Sequence, residues 1–121
     1  IATGETVCRA VQACVVLEEQ GFDCGVISMH TLKPLDEAAI LAAAENSNAI
    51  ITVEEHSVNG GLGSACASIL MQEGICKPFK IVGIPDEYTV NGSQTEIFKH
   101  YGITPEGLTQ SAKTLIEMVN A

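Results

Sequence analysis

Residues 50–64 constrain this chain more than any other stretch. They begin as the apolar run Ile50-Ile51-Thr52-Val53 and change abruptly to Glu54-Glu55-His56. They then pass through Gly60-Gly61-Leu62-Gly63 into residues with helical spacing. A β-branched run of this length suits a strand covered on both faces. A glycine turn at its carboxyl end lets a helix fold back onto the sheet. Such a corner builds ligand sites in α/β proteins, and it also simply reverses the chain.

The rest of the sequence repeats the alternation. Ile1-Ala2-Thr3 reads as the end of a strand, with Gly4 as the turn. Residues 5–20 carry Val7, Val11, Cys14 and Val15 at helical spacing, flanked by Ala10 and Leu17, and Gly21 is the stop. A second strand lies within 22–29. After the loop 30–35, Asp36 caps a helix over 37–45. The third strand, 49–53, leads into the glycine corner. Leu62, Cys66, Ile69 and Leu70 mark one buried face of the next helix, with Ala65 and Glu73 on the same stripe, and Gly74 ends it.

The fourth strand is 79–84. Ser93-Gln94-Thr95-Glu96 is a capping box for a short helix to Tyr101. Thr104-Pro105 opens the last helix, striped by Leu108, Ala112, Leu115 and Val119. The order β-α-β-α-β-α-β-α-α requires helical crossovers. These imply a mostly parallel four-stranded sheet with helices on both faces, an α/β fold.

Composition narrows the function. Net charge is −9, and the six basic residues are scattered, so no basic stripe exists for nucleic acid or an anionic membrane. No apolar run approaches the roughly 20 residues of a membrane span, and no leader pattern is visible. The five cysteines are odd in number and form no C-x-x-C pair. They read as reduced thiols of an intracellular protein, without zinc-ligand spacing. The 121 residues suit a single domain over 1–121. A start inside an apolar segment is read as the cut end of a longer chain.

If the first and third strands are neighbours, a crevice is walled by Thr3, Gly4, Glu54, Glu55, His56 and residues 60–63. The helix N-terminus there suits an anion, and a nucleotide- or anion-binding flavodoxin-like module is one reading. Against it, the fingerprint is incomplete and two acids precede the turn. The plainer reading is that the glycines allow close helix–sheet packing. Glu54, Glu55 and His56 suit acid–base chemistry by residue type. Adjacent strand residues face opposite ways, however, so one glutamate is expected to be a cap or salt-bridge partner and His56 to lie at an interface. His30 and His100 read as solvated residues beside turns, and Cys66 as core.

The motifs also occur in a familiar order. Ile1-Ala2-Thr3-Gly4, Leu32-Lys33-Pro34-Leu35-Asp36, residues 51–57, Gly60-Gly61-Leu62-Gly63-Ser64 and Gly83-Ile84-Pro85-Asp86 are followed by residues 101–106. This series resembles the C-terminal domain of transketolases, most of all the split bacterial form. There a small subunit carries a pyrimidine-binding domain followed by this one. Deoxyxylulose-phosphate synthases and 2-oxoacid dehydrogenase beta subunits share the domain.

The resemblance implies a three-layer α/β/α domain whose family sheet is five-stranded and mixed, with an antiparallel first strand lying before Ile1. It implies ketol transfer between sugar phosphates in the pentose phosphate pathway, in a cytoplasmic homodimer or heterotetramer. Thiamine diphosphate and a divalent metal (Mg) are held by the pyrimidine- and diphosphate-binding domains, which are the expected partners. No catalytic residue or metal ligand maps onto this chain, and the isolated domain is expected to be inactive. Glu54, Glu55, His56, Gly60 and Gly61 are therefore assigned as interface or cleft-rim candidates.

Overall fold

Two apolar, β-branched runs form the paired strands of the sheet. In a computed structural model describing residues 1–121, β1 (Ile50–Ser57) and β2 (Phe79–Ile84) pair in parallel, with Ile50 opposite Phe79 and Val53 opposite Val82. The crossover between them is helix α3 (Leu62–Gln72).

The other two predicted strands lie beside β1 without forming ladders. Ala2 bridges Val53 on one side and Ser28 on the other, both in parallel. Val53 N–H donates to Ile1 O at 2.9 Å, and Ala2 N–H donates to Ile27 O at 2.9 Å. The spatial order is thus 22–29, 1–3, β1, β2. The expected four strands become two strands and two extended segments held at single bridges. Asp23 and Gly25 weaken the outer segment. The one antiparallel bridge, Leu32 with Leu35, brackets the cis Lys33–Pro34 bond and lies outside the sheet.

Helices cover both faces. α1 (Thr6–Glu19), α4 (Gln94–His100) and α5 (Pro105–Val119) enclose a cluster of Ala2, Ala13, Val53, Val82, Phe98, Ile103 and Leu108. α2 (Glu37–Asn46) and α3 enclose Met29, Ile40, Ala44, Ile50, Leu62, Cys66 and Leu70 on the opposite face. The alternation of β1 sorts its side chains: Ile51 and Val53 go to the first layer, Ile50 to the second.

Local capping chemistry sets the helix starts. Asp36 Oδ1 accepts from Ala39 N–H at 3.0 Å, Ser93 Oγ from Glu96 N–H at 3.3 Å, and Thr104 Oγ1 from Gly107 N–H at 3.0 Å. At the other end of α2, Lys77 Nζ donates to the carbonyls of Ala44 and Ser47. The first helix departs from its predicted stripe. Its buried residues are Thr6, Ala13 and Leu17, while Val11 and Val15 are 46% and 51% exposed. α5 and the sheet lie on the side of Ala10, Ala13 and Leu17, so that face is the one covered. No helix is long and apolar enough to cross a membrane.

Candidate functional site at the corner between β1 and α3

The first and third extended segments are neighbours, so the carboxyl ends of residues 1–3 and β1 flank the switch point of the sheet. Here the two glutamates part, as strand alternation requires. Glu54 points toward α3 and is 1% exposed. Its Oε1 accepts from Leu62 N–H at 2.9 Å and its Oε2 from Gly63 N–H at 2.8 Å. These donors belong to the first turn of α3, which has no other side-chain cap. The carboxylate therefore neutralises the positive end of that helix from inside the protein. Glu54 is the cap that residue type and strand geometry left open between the two acids.

Two glycines make room for it, and a third lets the start of α3 close onto the sheet. A Cβ at Gly61 would overlap Glu54 Oε1, and one at Gly83 would lie 3.2 Å from Glu54 Cγ and 2.8 Å from His56 O. A Cβ at Gly63 would meet the Ile81 side chain and stand 2.7 Å from Thr52 Oγ1. Opposite Gly83 the pairing slips: Val53 faces Val82, yet Ser57 faces Ile84. This irregularity bends β1 where Glu54 leaves the sheet for the helix. In the linear sequence Gly83 stands out only as part of a motif. A glycine within a strand is itself a signal of a bulge or a close backbone approach.

Glu55 lies on the other face, exposed, above the Gly4 turn. Its Oε1 is 3.2 Å from where a Gly4 Cβ would stand, and its Oε2 accepts from Gln94 Nε2 on α4 at 3.1 Å. The imidazole of His56 is 67% exposed, 3.9 Å from Glu54 Oε1, with Nδ1 3.0 Å from its neighbour Ser57 O. That separation is an ion-pair distance, too long for a hydrogen bond. Gly60 takes a left-handed φ of 78° and faces open space, and its N–H donates to Ser64 Oγ at 3.1 Å. The five candidates thus divide: Glu54 and Gly61 are internal, whereas Glu55, His56 and Gly60 lie at the surface.

A family model for the transketolase C-terminal domain matches residues 1–108. The chain belongs to that family. It is 47% identical over 119 residues to one subunit of an apulose-4-phosphate transketolase from Phocaeicola vulgatus, covering 98% of this chain and 36% of that protein. It is 37% identical over 117 residues to a putative transketolase C-terminal section of Methanocaldococcus jannaschii, covering 97% of this chain and 35% of the relative. With 1-deoxy-D-xylulose-5-phosphate synthase of Alteromonas mediterranea it shares 40% identity over 107 residues, 88% of this chain but 16% of that one. Among solved structures, a split-gene transketolase, an inactive beta4 tetramer, superposes with a TM-score of 0.88 at 32% identity, over 96% of this chain and 38% of its own. The chain spans about a third, or less, of the length of these relatives.

In this transketolase C-terminal domain the corner does not fit a diphosphate or its metal. The α3 donors that would cradle a phosphate already hold Glu54, and no three His, Cys, Asp or Glu side chains converge on a point. The anion cradle suggested by the glycine turn is thus filled by the protein's own carboxylate. One polar atom beside it has no partner. Thr52 Oγ1 is buried and unbonded. Thr52→Val keeps the shape and removes the orphan, so the variant is expected to unfold at higher urea, with a gain of about 1 kcal/mol. A loss of similar size in the same titration would show that the hydroxyl has a partner.

Proposed function

We propose that this domain works within a thiamine-diphosphate-dependent transketolase, which transfers a ketol unit between sugar phosphates in the pentose phosphate pathway, and that it serves assembly and the rim of the cleft. The observation that carries this reading is the 47% identity spanning 98% of the chain to a protein named as part of a transketolase. The corner geometry supports it, because Glu54 is committed to α3 and leaves no buried acid–base pair facing a substrate. Glu55 and His56, exposed at the carboxyl end of β1, are the residues a neighbouring domain would meet. The pyrimidine- and diphosphate-binding domains or subunits of the same cytoplasmic enzyme are the partners, in a homodimer or heterotetramer, and they hold the thiamine diphosphate and magnesium.

A second reading is the equivalent domain of 1-deoxy-D-xylulose-5-phosphate synthase, favoured by the 40% identity over 107 residues. Both readings put the cofactor elsewhere. Thiamine diphosphate and magnesium titrated calorimetrically into the isolated chain are expected to give no binding heat. Saturable binding at micromolar concentration would sink the assignment. Adding the complementary subunits then separates the two readings: ketol transfer between sugar phosphates supports the first, and condensation of pyruvate with an aldose phosphate supports the second.

A further inference from the structure

We propose that Cys14 and Cys24 form an oxidisable dithiol that reacts with a small-molecule disulfide and closes to an intramolecular disulfide between α1 and the segment after it. The chain turns at Gly21, with a φ of 86°, and runs back along α1. This return brings Cys24 to Cys14, whose Sγ donates to Cys24 O at 3.0 Å. Both cysteines are half-buried. They line an open, largely apolar groove of about 670 Å³, with Leu17 and Phe22 beside them and Leu115 across from them on α5. A cavity of that size admits a small organic disulfide.

The other cysteines are placed differently. Cys8 and Cys76 are exposed, and Cys66 is fully buried in the α2–α3 layer. None of these three lines the groove. Burial, and then the adjacent Cys14, push the Cys24 thiol up to about 12. Cys24 therefore stays protonated at rest and reacts second.

The chemistry balances with the disulfide as sole oxidant. The Cys14 thiolate attacks one sulfur of the reagent, whose S–S bond breaks, and the first thiol leaves with the proton from Cys14. Cys24 then attacks the Cys14 sulfur of the mixed disulfide, and the second thiol leaves with the proton from Cys24. The protein loses two hydrogens and two thiols are released. The product pins residues 22–27, one wall of the groove, to α1.

The intact protein is incubated with oxidised glutathione, alkylated, and digested with trypsin and a glutamate-specific protease without reduction. Cleavage after Arg9, Glu18, Glu19 and Glu37 isolates Cys14 in peptide 10–18 and Cys24 in peptide 20–37, each with a single cysteine. The two peptides are expected to appear linked, about 2 Da lighter than their sum, and to separate on reduction. The link disappears in Cys14→Ser. Recovery of both peptides unlinked, alkylated or carrying glutathione, while Cys8 in the same sample has reacted, would overturn the proposal. So would an equal yield of the link from guanidinium-unfolded protein, because pairing would then owe nothing to the fold.

Discussion

Replacing Glu54 with alanine is expected to lower stability by about 3–5 kcal/mol, the largest effect of any single side chain at the corner. The carboxylate is 1% exposed and takes both its hydrogen bonds from the backbone of α3. Truncation leaves the Leu62 and Gly63 N–H groups buried without an acceptor, opens a cavity and removes the anion that balances the helix dipole. Glu54→Gln keeps one acceptor oxygen but turns an amide donor toward the other N–H. It should lose roughly half as much. Equilibrium unfolding in urea measures both. A shift below about 1 kcal/mol for the alanine variant would mean that water satisfies the freed donors. Loss of α3 protection in hydrogen exchange, with β2 unaffected, would locate the damage at the helix start.

Gly61→Val comes next, at about 2–4 kcal/mol. The cause is not backbone strain, since Gly61 has φ −99° and ψ −153°, which any residue adopts. The added Cβ would land on Glu54 Oε1 and stand 2.8 Å from its Cδ, so the carboxylate must leave its donors. The two substitutions therefore act on one interaction. The double variant Glu54→Ala/Gly61→Val should fall short of additivity by about 1–2 kcal/mol in the same unfolding measurement. Full additivity would show that Gly61 matters for some other reason. The adjacent Gly60→Ala is the contrast: its Cβ would face open space, and its cost of about 1 kcal/mol arises from the left-handed φ of 78° alone.

Local chemistry was readable where it was self-contained. Asp36, Ser93 and Thr104 are recognisable as caps because each bonds a backbone N–H within three residues of itself. The opposite facing of Glu54 and Glu55 followed from the strand period alone. The buried face of α1 did not follow. Val11 and Val15 are more apolar than Ala10 and Ala13, but α5 and the sheet stand on the side of Ala10, Ala13 and Leu17, and the sequence window does not contain α5. The role of Gly83 is hidden for the same reason: its purpose is to clear His56 O and the Glu54 stem, nearly thirty residues away.

The sequence by itself determined the order of elements, the helix starts and the family, because each depends on residue type at short spacing or on motifs in linear succession. The tertiary structure alone decided what the corner is. Two adjacent acids and a glycine turn are compatible with a catalytic pair, an anion cradle or a cap. Choosing among them requires knowing which N–H groups stand within 3 Å of which carboxylate. That is set by the slip between β1 and β2 and by how closely α3 docks on the sheet. Both arise from contacts between parts of the chain that are distant in sequence, so no local pattern encodes them.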